Sequence, residues 1–173
     1  AYGIANSIAM IFVMFVIGLN QGMQPIAGYN YGAQQYDRMM RVVKLSIITA
    51  VCIMLTGWSL AMFAPYHCAR MFTTDPELIK GSIKAIHIIM MMFPLIGSQM
   101  VITNFFQCIG KVKISIFLSL SRQLLFLLPL LAILPNFYGI DGVWASMPTS
   151  DFIAVVVAVT IMLVFLRRFK KER

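Results

Sequence analysis

The chain has 173 residues, of which 60% are hydrophobic and only 12% are charged, and its mean hydropathy is +0.85. Ordinary soluble domains carry about 25% charged residues, so this composition excludes a soluble globular domain and indicates that membrane lipid surrounds much of the chain. The net charge of +8 would suggest nucleic-acid binding in a soluble protein. Here the basic residues lie between apolar runs, as the positive-inside rule describes, so we expect no nucleic-acid partner.

Five apolar stretches are each long enough to cross the ~30 Å hydrocarbon core of a bilayer as a helix. The predicted spans cover about residues 4–27, 42–64, 83–106, 112–134 and 143–166, and the last is interrupted by Pro148 and Asp151. Period-two alternation, which a membrane barrel requires, is absent. We therefore predict an all-α, multi-pass membrane protein in which residues 1–173 form one continuous lobe.

The basic residues are divided unequally between the two ends of these spans. Ten lie in or beside the first loop, the third loop and the C-terminal tail, and three lie in the second loop. The ten are Arg38, Arg41, Lys44, Lys111, Lys113, Arg167, Arg168, Lys170, Lys171 and Arg173, and the three are Arg70, Lys80 and Lys84. The positive-inside rule predicts a cytoplasmic C-terminus.

Amide side chains and a proline occupy the end of the first span, in the stretch NQGMQPIAGYNYGAQQYDR that begins at Asn20. Asn20 and Gln24 share one face of a helix, Gln21 is adjacent, and Pro25 removes a backbone donor and frees the carbonyl one turn earlier. Uncharged amides can bind polar or cationic ligands without the cost of a buried charge. The alternative is that they form hydrogen bonds between helices near the membrane interface.

Two local signals predict how the helices pack and where one of them begins. Gly18 with Gly22, and Gly28 with Gly32, form GxxxG pairs, which allow helices to approach closely in lipid. In the second loop, Thr74 or Asp75 can cap a helix that starts at Pro76, and Glu77 complements its dipole. The third helix is therefore expected to begin outside the membrane, near Pro76.

A polar stripe runs along the third predicted span. Gln99, Thr103 and Gln107 are spaced at i, i+4 and i+8, which places them on one helix face. Methionine and phenylalanine residues, including Phe93 and Met100, surround this stripe. A soft, polarizable wall with a few polar groups suits variable hydrophobic cations, although packing or lipid contact would produce the same composition.

Three further residues of the spans are predicted to have structural or coupling roles. Pro94 lies near the middle of the third span and is expected to kink it. Arg122 lies near the centre of the fourth span, where an isolated cation is costly, and Asp151 is the only membrane-embedded acid. We predict either an ion pair between them that supports the bundle, or an Arg122 that reaches the cytoplasm and an Asp151 that faces outer water.

Three stretches together resemble the multidrug and toxic compound extrusion (MATE) family of transporters. QGMQPIAGYNYGAQQYDR resembles the stretch that closes the second helix of a six-helix half in that family. NFFQCIGKVKISIFLSLSRQLLFLLPLLAILP resembles its tight turn and following helix, and GIDGVWASMPTSD resembles its last hairpin. The resemblance covers nearly the whole chain and implies that the five spans are the eighth to twelfth helices of twelve. The N-terminal half would then be missing from this chain.

This resemblance implies a secondary transporter of the bacterial inner membrane. Two six-helix bundles would rock about a central cavity, and organic cations or other drugs would leave the cell as Na⁺ or H⁺ enters. Some branches of the family carry a coupling carboxylate in the third span, but residues 83–106 contain no Asp or Glu. Coupling would then use the missing N-terminal half or Asp151.

Other functions fit the sequence less well. A flippase for lipid-linked oligosaccharides or polysaccharides would need several cationic residues in the cavity, and Arg122 alone lies deep in a span. A non-transporting membrane subunit would not need the polar stripe. No HExxH sequence, Ser/His/Asp set or Gly-rich nucleotide loop occurs, so neither an enzyme nor a bound cofactor is expected. The three cysteines, Cys52, Cys68 and Cys108, lie far apart and are predicted to be plain thiols rather than metal ligands.

Overall fold

The computed structural model describes residues 2–171, and every regular element in that range is a helix. Two long helices, α1 (Tyr2–Gly32) and α2 (Tyr36–Phe63), are followed by the short helix α3 (Pro65–Arg70). The pair α4 (Pro76–Ile89) and α5 (Phe93–Cys108) comes next. The chain then continues through α6 (Val112–Leu120), a π-helical segment (Ser121–Leu127) and α7 (Leu128–Tyr138) to the long helix α8 (Ile140–Lys171).

These elements provide five membrane spans. Four stretches are long and apolar enough to cross a bilayer alone: α1, α2, the continuous run Val112–Tyr138 and α8. The fifth span is the pair α4 and α5, whose axes are bent by 51° at a short break. The predicted all-α, five-span architecture is therefore confirmed.

The helices extend beyond the predicted spans at both ends of the bundle. The first loop was predicted over residues 28–41, but α1 continues through Pro25 to Gly32 and only residues 33–35 separate it from α2. Likewise, Gly139 alone connects α7 to α8, and its φ of 62° is a conformation that favours glycine. Hydropathy marks the part of a helix that lies in lipid, whereas the helix itself continues into the interface.

The third span is broken rather than continuous. Its start is as predicted, because Pro76 opens α4 and the Asp75 carboxylate accepts a hydrogen bond of 3.0 Å from the Glu77 backbone. The helix then stops over residues 90–92, and Pro94 lies in the first turn of α5. A proline at this position has no N–H for the Met90 carbonyl and its ring clashes with that group. The predicted kink is thus present as a break that precedes Pro94.

The closest helix contacts do not involve the predicted GxxxG pairs. A Cβ atom on Gly97 of α5 would lie 2.9 Å from the Ala50 carbonyl oxygen of α2, and one on Gly57 would lie 2.8 Å from the Phe12 ring. By contrast, the Cβ positions of Gly18, Gly22 and Gly32 have no neighbour within 4 Å among residues 2–171, and that of Gly28 is 3.6 Å from the Cys108 carbonyl. Of the four predicted glycines, only Gly28 therefore lies in contact with another helix of the described chain, because small residues bring helices together only on a face that meets a neighbour.

One end of the bundle is held by a group of rings, which we call the aromatic cluster: Tyr31, Tyr36, Phe105, Phe106, Phe165 and Phe169. The Phe106 and Phe165 ring centroids are 5.5 Å apart, and those of Tyr36 and Phe169 are 4.5 Å apart. Lys111 places its Nζ 5.4 Å from the Phe165 centroid, a favourable cation–π geometry. The cluster joins the end of α1, the start of α2, the end of α5 and the end of α8.

The run Val112–Tyr138, which we call the α6–α7 arm, packs much less tightly. Within it, α7 has no buried residue and α6 has two, Ser115 and Leu118. Its outer face is formed by large apolar side chains such as Leu125 and Phe137. The arm is fixed to α8 where the backbone of Gly142 meets the Leu134 carbonyl.

Candidate functional site

A polar cavity of about 490 Å³ lies between α1, α5 and the α6–α7 arm. Such a volume is typical of small-molecule sites. Most of the residues that line this open cavity carry an amide or a hydroxyl group, in contrast to the apolar composition of the bundle. The lining residues are Ile17, Asn20, Gln21, Gln24, Gln99, Met100, Thr103, Asn104, Gln107, Ser119, Arg122 and Gln123.

The structure brings most of the predicted cavity residues together in this space. Gln21 and Gln24 line it from α1, and the stripe Gln99, Thr103 and Gln107 lines it from α5 together with Met100. Two elements far apart in sequence therefore present their amide faces to the same volume. Whether these residues contact a substrate remains a prediction.

Besides Asp151, three predicted residues lie outside the polar cavity. Phe93 is only 2% exposed and lines a neighbouring cavity, where its ring meets Phe12 at a centroid distance of 6.2 Å. Pro25 and Pro94 line neither cavity. Pro94 follows the break between α4 and α5, whereas Pro25 lies inside the continuous helix α1.

Two buried oxygen atoms of the polar cavity have no hydrogen-bond partner among residues 2–171. They are Asn20 Oδ1 and Thr103 Oγ1, and Asn20 is 5% exposed. An unpaired polar atom inside a protein costs about 1–3 kcal/mol. Both residues line the polar cavity, so a ligand or an internal side chain that donates hydrogen bonds would remove this cost.

A π-helical segment shapes the third wall of the polar cavity. Over Ser121–Leu127 the helix widens, and the Leu128 N–H donates to the Gln123 carbonyl five residues earlier. Pro129 follows at once and cannot pair with the Leu125 carbonyl, so a wider turn avoids the clash. The segment places Arg122 and Gln123 on the cavity wall. Sequence reasoning did not identify Gln123, although Pro129, just beyond this stretch, was a usable signal.

The predicted contact between Arg122 and Asp151 is present. Arg122 Nε donates to Asp151 Oδ1 at 2.7 Å, so the alternative of two separately solvated charges does not describe this structure. The two side chains are unequally exposed, at 38% for Arg122 and 7% for Asp151. The support that this pair gives to the bundle is a prediction.

The ion pair also lines a second cavity of about 420 Å³ between α1, α5, the α6–α7 arm and α8. We call it the ion-pair cavity. Its wall is largely apolar and includes Val13, Phe93, Ile96 and Leu127. Among residues 2–171 no group of three or more His, Cys, Asp or Glu side chains is arranged to hold a metal ion.

Comparison with known proteins places this fold and these sequence features in one family. The MatE family profile matches residues 1–133. A solved structure of the MATE multidrug transporter DinF-BH is 39% identical in sequence, with a TM-score of 0.85 over 94% of this chain and 36% of that one. The "Multidrug export protein MepA" of Staphylococcus haemolyticus is 21% identical over 94% of this chain and 35% of its own length.

Two more distant structures show that the same fold occurs in different transporter states. Their titles describe the inward-facing and the outward-facing conformation of a multidrug resistance MATE family transporter, and each is 21% identical with a TM-score of 0.87. They cover 96% and 98% of this chain and 39% of each matched chain. The chain thus spans little more than a third of the length of its relatives. On the profile match, the 39% identity and the shared helical architecture, this multi-pass membrane chain belongs to the MATE family.

Proposed function

We propose that this chain forms most of the C-terminal lobe of a multidrug efflux transporter. The complete protein would export hydrophobic organic cations and other drugs in exchange for Na⁺ or H⁺ and would catalyse no chemical reaction. The observation that carries the proposal is the polar cavity, a mostly uncharged, amide-lined space inside a bundle that is otherwise apolar.

The wall of the polar cavity suits ligands that vary in shape. Amide oxygens accept hydrogen bonds from a substrate N–H without fixing a single geometry, and Met100 offers a polarizable surface. Arg122 is the only charged residue on this wall in the described chain, and its charge is balanced by Asp151. A flippase for phosphate-linked lipids is less favoured, because one neutralised cation offers little to a phosphate.

Alternating access fits a lobe that moves as a unit. The same arrangement of helices matches an inward-facing and an outward-facing transporter equally well. This supports a mechanism in which the lobe keeps its internal packing while its position relative to the missing N-terminal half changes. The coupling ion would act in that half or at Asp151.

The charge distribution supports a cytoplasmic C-terminus. The aromatic cluster brings the first loop, Lys111 and the end of α8 to one end of the bundle. Nearly all of the basic side chains predicted to face the cytoplasm lie at this end. The positive-inside rule assigns it to the cytoplasm.

The experiment is dye efflux from cells that express the full-length transporter, with Na⁺ and pH varied separately. Gln99→Leu removes an amide from the polar cavity, and we expect efflux at low dye concentration to fall about tenfold, the equivalent of one lost hydrogen bond of ~1.4 kcal/mol. Asn136→Leu makes the same polar-to-apolar change on the outer face of α7 and should leave efflux unchanged. Equal effects of the two substitutions, or no efflux by the wild type, would contradict the proposal.

A further inference from the structure

The Arg122–Asp151 ion pair lies between the two cavities. Arg122, Gln123 and Met100 line both of them, whereas Asp151 lines only the ion-pair cavity. A movement of the Arg122 side chain alone would therefore change the charge of the ion-pair cavity without any movement of a helix.

The two partners are not held equally. Asp151 lies on the inner face of α8 with its side chain 7% exposed, while the Arg122 side chain is 38% exposed. Within residues 2–171, the Nε–Oδ1 bond is the one hydrogen bond recorded for either side chain. The guanidinium group has five N–H donors, so most of its donors are not used by this contact. Arg122 is the partner that can leave.

The Asp151 carboxylate in the ion-pair cavity needs a cationic partner, whether or not Arg122 is in contact with it. Asp151 and Arg122 are the only charged residues that line it in the described chain, and the other polar groups there are Tyr2, Asn6, Gln123 and Ser150. An unpaired carboxylate in such a wall would be strongly unfavourable. Arg122 thus behaves as a tethered cation that neutralises Asp151 while no other cation is bound.

The polar cavity offers acceptors for a displaced guanidinium. Asn20 lines this space, and its Oδ1 is buried and has no donor in the described chain. Gln21, Gln24 and Gln99 add further amide oxygens on the same wall. The unpaired oxygen of Asn20, which the packing of the bundle leaves unexplained, would gain a partner when Arg122 turns away from Asp151.

We propose that the ion-pair cavity binds a monovalent organic cation at Asp151 in competition with Arg122. The ligand places its positive charge against the carboxylate and its apolar groups against Phe93, Ile96 and Leu127, while Arg122 turns into the polar cavity. The total charge of the site rises by one in this exchange, and the amide oxygens stabilise the released guanidinium. This inference rests on the proposed function for its ligand class and adds to it a charged subsite with an internal competitor.

The test is equilibrium binding of radiolabelled tetraphenylphosphonium to the purified full-length transporter, without an ion gradient. Arg122→Gln removes the competitor, and we expect tetraphenylphosphonium to bind about tenfold more tightly, equivalent to ~1.4 kcal/mol. Asp151→Asn removes the carboxylate to which the cation binds and should weaken tetraphenylphosphonium binding about tenfold. The matched control is Lys84→Gln, which breaks an exposed ion pair with Asp141 that lines neither cavity, and which should leave binding unchanged.

The neutral dye Nile red distinguishes the removal of the Arg122 charge from an enlargement of the cavity. If Arg122→Gln strengthens the binding of Nile red as much as that of tetraphenylphosphonium, the substitution has only enlarged the cavity and the inference is overturned. Unchanged or weaker tetraphenylphosphonium binding to a monodisperse Arg122→Gln variant would also overturn it. If that variant does not fold, Asp151→Asn decides, because unchanged tetraphenylphosphonium binding would exclude Asp151 as the receptor. Since binding is measured without transport, a protein that binds but does not export contradicts only the proposed function.

Discussion

The α6–α7 arm and helix α2 are equally apolar, yet they contribute to the lobe in opposite ways. The most apolar 18-residue segment of the arm has a mean hydropathy of 2.0, and that of α2 has 1.9. Only 11% of the segment in the arm is buried, compared with 28% of the segment in α2. Helix α2 packs its small residues against α1 and α5, where Gly57 and Gly97 allow close contact. The arm turns its large apolar side chains outward, whereas its Ser119, Arg122 and Gln123 line the cavities.

This difference shows what hydropathy measures in a membrane protein. Lipid tails are as apolar as a protein interior, so an apolar side chain gains little by facing one rather than the other. Packing is then decided by shape, through glycine and alanine contacts, and by the need to shield Arg122 and its neighbours from lipid. In this lobe α2 supplies the packing, and the arm supplies Arg122 and Gln123 to the walls of both cavities.

Filling a close contact in the packed region should have the largest effect. Gly97→Leu would place side-chain atoms against the Ala50 carbonyl, a backbone group that cannot move aside. We expect a loss of about 3 kcal/mol in stability, the upper part of the range for overpacking, seen as a lower melting temperature of the purified full-length transporter. Gly18→Leu, where the Cβ position is open, is the matched control. Similar melting temperatures for the two variants would show that the packed region is not tighter than the rest.

The second-largest effect is expected from removal of a phenylalanine ring, which should destabilise the aromatic cluster more than the α6–α7 arm. Phe106 is fully buried in the aromatic cluster, whereas Phe137 of the arm is 77% exposed. Phe106→Ala leaves a cavity of roughly 100 Å³, and at about 24 cal/mol per Å³ the cavity alone costs roughly 2 kcal/mol. Phe137→Ala should cost less than about 0.5 kcal/mol, as surface substitutions usually do. Unfolding of both variants in detergent, followed by circular dichroism, gives the comparison, and an equal loss would contradict it.

The smallest expected effect is on the labelling rate of one thiol and involves no change in protein stability. Cys68 lies in α3, between the second and third spans, and its Sγ is 3.7 Å from the Leu60 carbonyl. Burial raises the pKa of the Cys68 thiol above its usual value, so its thiolate fraction at neutral pH is low. A membrane-impermeant maleimide added outside intact cells should label Cys68 slowly, with a rate that still increases at a pH where an ordinary cysteine has levelled off.

The control for labelling is Cys68→Ser, which should remove this signal. Cys52, which is exposed on α2 within a span, should not react with an impermeant reagent in an intact membrane. Labelling of Cys68 only after the cells are opened would reverse the proposed orientation.

The sequence was sufficient to predict the number of spans, the start of α4 at Pro76 and the amide-bearing faces of the first and third spans, but not that these faces line one cavity. Long apolar runs, a capping residue followed by proline, and residues spaced at i and i+4 each have one dominant physical interpretation. The ion pair of Arg122 with Asp151 was one of two predictions, because sequence gives the depth of each charge but not its direction around the helix axis.

Other features depended on contacts that a single sequence does not contain. The GxxxG spacing did not identify the tightest contacts, because spacing does not reveal which face meets a neighbour. Gly97, which does meet one, has no glycine partner four residues away. The π-helical segment was missed because Pro129 was treated as part of an uninterrupted span. The helix ends were placed too early because aromatic and amide residues at the membrane surface remain helical there.

The single-residue connection at Gly139 has a practical consequence for anyone who wishes to attach a reporter to this protein. A fluorescent tag or epitope at that junction would force apart two antiparallel helices whose backbones touch at Gly142 and Leu134. The chain between α3 and α4, residues 71–75, is longer, and its Met71 side chain is 80% exposed. It is there, at the same end of the bundle, that an insertion can be accommodated without separating packed helices.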